Sequence, residues 1–284
     1  MKQLTFTKMH GIGNDYIYVH CPHGLDFDPC LVAKQLSPRH TSVGSDGLVL
    51  MLPSERADYT MRMFNADGSE GGMCGNAIRC VGKYLYDNGI VPKLHMQIET
   101  KTGIRQLDLV VGEDGLVSFV KVDMGQASIQ PDHVPHAHPT PMVNTPVDTP
   151  WGVYDVTALM VGNPHAVIWT QDVENFPLQE LGAYFQDVPL FPQRVNMEVA
   201  KVIDPVTIEM RVFERGSGET YACGTGASAT VVAAVLCGYC QPDTDVTVRL
   251  RGGDLIIRCT ANLRVDMTGS ATKVYDGVAQ LFDI

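Results

Sequence analysis

Two cysteines, each followed by glycine, occupy the same local context: Met73-Cys74-Gly75-Asn76 and Ala222-Cys223-Gly224-Thr225. Each ends a β-rich segment and opens a helix-forming one. The first N–H groups of a helix lack intrahelical partners, and the dipole there is positive. Such an end binds a carboxylate and raises the acidity of a neighbouring thiol. Paired thiols can act as acid and base. Inverting an α-carbon takes a base on one face and an acid on the other, and thiolate and thiol exchange roles in reverse. Without a pyridoxal electron sink, the carbanion must be held by preorganised donors, which two helix N-termini would supply.

The remaining cysteines carry weaker signals. Cys237-Gly238-Tyr239-Cys240 could be a redox pair or half a zinc site. It falls at a helix end, and no second C-x-x-C completes a tetrahedral site. A thiol-disulfide oxidoreductase acting through Cys237 and Cys240 remains the rival from another enzyme class. Cys21, Cys30, Cys80 and Cys259 read as small buried hydrophobes. His20-Cys21-Pro22-His23 with Cys30 matches no metal spacing, and His133, His136 and His138 read as solvent-facing. No metal is expected.

What must position the two thiols is one unit used twice. Met61-Arg62-Met63-Phe64-Asn65 is echoed by Met210-Arg211-Val212-Phe213-Glu214 at an offset of 149 residues, which also carries Glu70 to Glu219 and Cys74 to Cys223. Ile12-Gly13-Asn14 meets Val161-Gly162-Asn163 at the same offset, as does Gly103 with Gly252. Val122-Asp123-Met124 recurs as Val265-Asp266-Met267, offset by 143. Short β-rich segments at 5–19, 47–52, 59–64, 95–100 and 106–111 are separated by turn residues. One helix follows each Cys-Gly, at about 76–88 and 226–236, stopped by Gly89 and Gly238. The second is small or apolar on every side, as a helix enclosed by sheet would be. The first carries Arg79 and Lys83 on one side.

The expected fold is therefore α/β (α+β): two pseudo-symmetric lobes from internal duplication, each a curved, mainly antiparallel sheet wrapped around a central helix. A pseudo-twofold axis would place the thiols on opposite sides of a cleft. The lobes are drawn at 1–123 and 124–274, with 275–284 returning to the first. The proline-rich 131–150 reads as a connecting loop.

Composition narrows the class. The chain has 284 residues and a formal net charge of −11, from 32 acids against 21 bases. With no Lys/Arg cluster, no nucleic-acid partner is expected, and an acidic surface disfavours anionic membranes. No signal peptide is read at Met1-Lys2-Gln3-Leu4, and the apolar stretch near 227–236 is too short for a membrane span, which needs ~20 residues. A cytoplasmic setting with free thiols is expected.

The residues then show a resemblance to the diaminopimelate epimerase family. It is carried by His10-Gly11-Ile12-Gly13-Asn14-Asp15, Phe64-Asn65-Ala66-Asp67-Gly68-Ser69-Glu70 and Met73-Cys74-Gly75-Asn76-Ala77-Ile78-Arg79-Cys80. Gly162-Asn163-Pro164-His165, Arg194-Val195-Asn196, Glu214-Arg215-Gly216-Ser217-Gly218-Glu219-Thr220, Ala222-Cys223-Gly224-Thr225-Gly226 and Tyr275-Asp276-Gly277 extend it over nearly the whole chain. The resemblance implies an isomerase that uses no cofactor and converts LL- to meso-diaminopimelate for lysine and peptidoglycan synthesis, as a homodimer. It implies Cys74 and Cys223 as the two bases, with His165 and Glu214 adjusting their protonation. Gly75, Asn76, Gly224 and Thr225 would bind the reacting carboxylate, and Asn14 the polar groups beside it. Asn65, Asn163, Asn196, Glu214 and Arg215 would read the distal amino-acid head. Two bland readings stand beside these: His165 as a turn histidine, and Glu214 with Arg215 as a surface ion pair. In Val43-Gly44-Ser45-Asp46-Gly47, the last glycine stands where some members carry glutamine. The nearest alternative is a cofactor-independent racemase of proline, hydroxyproline or histidine. A non-catalytic or isomerase-like protein of the same fold is a third, though these typically lack the paired thiols.

Overall fold

A computed structural model describes residues 2–282. They form two compact units, one running to Val122 and resuming at Gly269, the other Asp123–Thr268.

The first unit contains β1 (Lys2–Gly11), β2 (Asn14–His20), α1 (Pro29–Leu36), β3 (Gly47–Leu52), β4 (Tyr59–Asn65), β5 (Glu70–Gly71), α2 (Gly75–Asp87), β6 (His95–Thr100), β7 (Gly103–Val111) and β8 (Val117–Gln126, continuing past the boundary). The second contains β9 (Thr145–Thr149), β10 (Gly152–Val161), β11 (Asn163–Trp169), α3 (Leu178–Asp187), β12 (Asn196–Asp204), β13 (Thr207–Glu214), β14 (Gly218–Thr220), α4 (Gly224–Leu236), β15 (Asp245–Leu250), β16 (Gly253–Cys259) and β17 (Arg264–Ser270, crossing back). The last strand described is β18 (Thr272–Leu281), antiparallel to β1 from Lys2↔Leu281 to His10↔Thr272; of the expected return at 275–284, residues 283–284 lie outside the described residues. β18 thus takes beside β1 the place that β9 takes beside β10.

Most pairings are antiparallel; β2–β3, β4–β6, β11–β12 and β13–β15 are parallel. Both faces of the first strands are covered. Ile17 and Val19 of β2 point with Leu48 and Leu50 of β3 toward Val32, Ala33 and Leu36 of α1. Alternation sends Tyr16 and Tyr18 to the other face, where Tyr18 donates from its hydroxyl to Ala77 O of α2. In the second unit Leu178, Leu181 and Phe185 of α3 pack on Ala166, Ile168, Met197 and Val199. The opposite face meets α4, whose residues Ala227–Ala234 are all buried. Removing side chains of this size from water contributes about 1.5–3 kcal/mol each.

Each unit therefore carries a central helix and a second helix on the outer face of its sheet. The sequence reading, with one helix per lobe, missed α1 and α3. Their signals are present: Asp28 caps α1 by accepting from Cys30 N, Pro29 follows, and Leu178, Leu181, Gly182 and Phe185 recur at helical spacing. Two smaller corrections follow. Residues 145–149 in the proline-rich stretch form β9, paired with β10. And Gly103 is matched by Gly253, not Gly252: each begins the second strand of a hairpin with positive φ, 120° and 138°.

Candidate active site

Cys74 and Cys223 are the N-cap residues of α2 and α4, with nearly identical extended backbones (φ −129°, ψ 122° and φ −126°, ψ 107°). Repetition of the sequence has thus reproduced the turn. The strand before each cysteine is braced alike. Arg62 Nε donates to Glu70 at 2.7 Å, and Arg211 Nε donates to Glu219 at 2.8 Å. This explains why Glu70 and Glu219 repeat.

In the first unit Asn14, the first residue after the β1–β2 turn, brings the group together. That turn needs left-handed backbone at both central residues, Ile12 (φ 46°) and Gly13 (φ 88°). The Cys74 thiol donates to Asn14 Oδ1 at 3.3 Å, and Asn76 Nδ2 donates to the same oxygen at 3.3 Å. Asn14 Nδ2 donates to Asp46 Oδ2 at 2.7 Å. Asp46 and Asp15 share Arg39 at 2.6 and 2.7 Å, and Lys8 pairs with Asp15. Burial works to raise the Asp15 pKa, but the bonds from Arg39 and Lys8 prevail and lower it. Tyr16 lies against Asn14 and Cys74; burial, then the charges of Cys74 and Asp46, push its phenol well above the usual value. Asn65 is set apart, donating to Ser69 Oγ at 3.0 Å. Arg79 is wholly buried and reaches Gly75 O and Ser270 O at 3.2 and 3.1 Å.

In the second unit the Cys223 sulfur accepts from Gly226 N at 3.4 Å and meets Thr225 Oγ1 at 3.4 Å. Glu214 reaches the same thiol and accepts from Thr220 Oγ1 at 2.5 Å. Burial raises the Glu214 carboxyl. Burial, then the carboxylates of Glu214 and Glu198, raise Cys223 well above an ordinary thiol; the Thr225 and Gly226 bonds offset this in part. The opening expectation of an acidified thiol is thus corrected for Cys223, since desolvation outweighs the helix end. His165 is no turn residue. It lies within β11, fully buried, between Glu198 Oε1 (2.7 Å) and Asn163 Oδ1 (2.8 Å). Asn196 Oδ1 accepts from the backbone N of Arg215 at 2.7 Å, and the Arg215 guanidinium reaches Gln193 O at 3.0 Å. Glu214 and Arg215 form no ion pair with each other among the described residues.

Glu198, Asp46, Tyr16 and Arg39 escaped the sequence reading. Glu198 did leave a signal, a carboxylate at a buried position within the apolar run Met197–Ala200. Gly47 admits no side chain, because a Cβ there would stand 2.0 Å from Phe64 O.

Away from these groups, Cys21, Cys80 and Cys259 are buried and pushed by burial to about 11. Cys237 donates to Asn144 Oδ1 at 3.3 Å, and Cys240 is buried. His136, expected at the surface, is buried. Among the described residues no three His, Cys, Asp or Glu side chains gather as metal ligands, and no helix is long and apolar enough to cross a membrane.

The fold is shared with solved amino-acid epimerases and their kin. A hydroxyproline epimerase from Agrobacterium vitis, with bound trans-4-hydroxy-L-proline, superposes with a TM-score of 0.72 at 17% identity, over 98% of this chain and 91% of its own. A Bacillus anthracis phenazine biosynthesis protein of the PhzF family gives 0.73 at 17%, over 99% and 100%. Sequence narrows the class. A model of the diaminopimelate epimerase family matches residues 6–130 and 157–274. The diaminopimelate epimerase of Acetivibrio thermocellus is 50% identical over 99% of this chain and all of its own length. That of Methanococcus maripaludis strain C5 is 47% identical over 96% and 99%. The chain belongs to the diaminopimelate epimerase family.

Proposed function

We propose that the protein interconverts LL- and meso-diaminopimelate without a cofactor, serving lysine and peptidoglycan synthesis. The observation that carries this is the duplicated Cys-Gly cap, two thiols in matching backbone geometry at the N-termini of α2 and α4, in a chain half identical to a protein of that name. One thiolate takes the α-proton and becomes a thiol, while the other thiol protonates the carbanion on its opposite face and becomes a thiolate. The raised pKa of Cys223 suits it to the donor's part; Cys74 then takes the proton, and the reverse reaction exchanges them. The first-turn N–H groups of Gly75, Asn76, Gly224 and Thr225 hold the reacting carboxylate, with Asn14 beside it. Asn65, Asn163, Asn196, Glu214 and Arg215 take the distal head, Arg215 as a fork for its carboxylate. Glu214, in reach of the Cys223 thiol, and His165 adjust the protonation of the thiols.

The chain acts in the cytoplasm as a homodimer. Support for the dimer comes from the apolar side chains of Val274, Tyr275 and Val278, all exposed along β18.

The test is proton NMR with LL-diaminopimelate in deuterium oxide and no added cofactor, beside Cys74→Ala and Cys223→Ala. Loss of the α-proton signal with appearance of the meso isomer, abolished in both variants, supports the assignment. No exchange by reduced wild type removes the substrate, and proline, hydroxyproline and histidine are then run in its place.

A further inference from the structure

Equivalent positions in the two units differ around the thiols. At the 149-residue offset, Tyr16 corresponds to His165 and Val49 to Glu198. The second unit has therefore buried a carboxylate where the first has a valine. Glu198 has no exposure, at the third position of β12. Its Oε1 lies 2.7 Å from His165 Nδ1, and His165 Nε2 lies 2.8 Å from Asn163 Oδ1. Its Oε2 has no hydrogen-bond partner among the described residues. Both ring nitrogens thus face oxygens, and making both bonds requires two protons shared by the ring and the carboxyl group. The carboxyl also lies against the first turn of α4. A Cβ on Gly226 would stand 2.7 Å from Oε1 and 3.3 Å from the Cys223 sulfur, so glycine at 226 makes room for Glu198 beside the thiol.

We infer that Glu198 is a positioning residue for the reaction at Cys223. It holds the His165 ring through Nδ1, so that Nε2–H meets Asn163 Oδ1 and the Asn163 NH₂ is left turned toward a ligand. The kinetic consequence rests on the proposed epimerisation; the hold on the ring does not.

Glu198→Gln keeps the shape of the side chain and removes its charge. In both reaction directions kcat/KM should fall roughly tenfold or more, as when a group orienting a reactive one is removed, with a rise in KM because Asn163 meets the ligand, and with a displaced pH–rate profile. In a His165→Ala background the same change should cost nothing further, because Glu198 acts through the ring. Wild-type pH dependence in Glu198→Gln, or losses that add in the double variant, would overturn the inference. The ring is read separately, by the slowly exchanging His165 N–H signal in proton NMR, assigned by its disappearance in His165→Ala. It should be lost or displaced in Glu198→Gln and in Glu198→Val, the residue the first unit carries. An unmoved signal in a folded variant refutes the hold whatever the substrate proves to be. If wild type fails to epimerise diaminopimelate while the signal responds, the proposed function has failed and the positioning stands.

Discussion

Asn14 turns its amide oxygen, not its nitrogen, to the Cys74 sulfur, 3.3 Å away. Asp46 imposes this, because its carboxylate takes the Asn14 NH₂ at 2.7 Å. The oxygen accepts from the thiol, and a ligand that competes for Asn14 would break that bond. Asp46→Ala releases the carboxamide. One hydrogen bond of about 1 kcal/mol should then be missing from the oriented state. Epimerisation followed by NMR should lose about fivefold in kcat/KM, with the melting temperature nearly unchanged. A loss below twofold would show that Asn14 is oriented by something else.

The thiol of Cys223 should resist alkylation at neutral pH. A raised pKa means that the thiolate is scarce there and becomes available only as pH rises. Glu214 is one of the charges raising it, so Glu214→Gln should lower the pKa and speed iodoacetamide labelling of Cys223 at a given pH. Peptide mass spectrometry across pH 7–10 reads this directly. Slower labelling in the variant would mean that Glu214 activates the thiol instead.

Gly47→Gln should disrupt the sheet rather than add a ligand contact. Gly47 pairs with Asn65, and its missing Cβ would collide with Phe64 O. Forcing β3 from β4 is an overpacking problem, costing ~1–3 kcal/mol. Urea unfolding should show it as a lower midpoint. A variant as stable as wild type would refute the tight approach.

Asp15 should make the first unit acid-sensitive. Its folded pKa lies below the ordinary 3.8, so its stabilisation is present above that value and lost as pH falls through the folded one. Asp15→Asn should be less stable than wild type at pH 7, and the gap should close below about pH 4. A gap that persists at pH 2 would assign the loss to shape rather than charge.

Much of this arrangement is legible locally. β3 and β6 were read to the residue because glycine or turn residues bound them and their side chains are apolar or alternate. α2 and α4 followed from the glycines at either end. α1 and α3 were not read, because they stand at the same 149-residue offset (Pro29 and Leu178) without sharing a residue there, and each is short; α1 has only 8 residues. Gly103 was paired one residue off because repeats drift where a loop gains a residue, while hairpin geometry does not.

The sequence by itself determined the duplication, the two capped thiols and their family, because each is written in contiguous residues whose effects act within one turn. Only the tertiary structure decided what surrounds those thiols. Asp46 reaches Asn14 across 32 positions and Glu198 reaches His165 across 33. Such meetings depend on which strands lie side by side and in what register. The same contacts decided the state of Cys223, where burial and two carboxylates outweigh the helix end that the Cys-Gly motif alone would have made decisive.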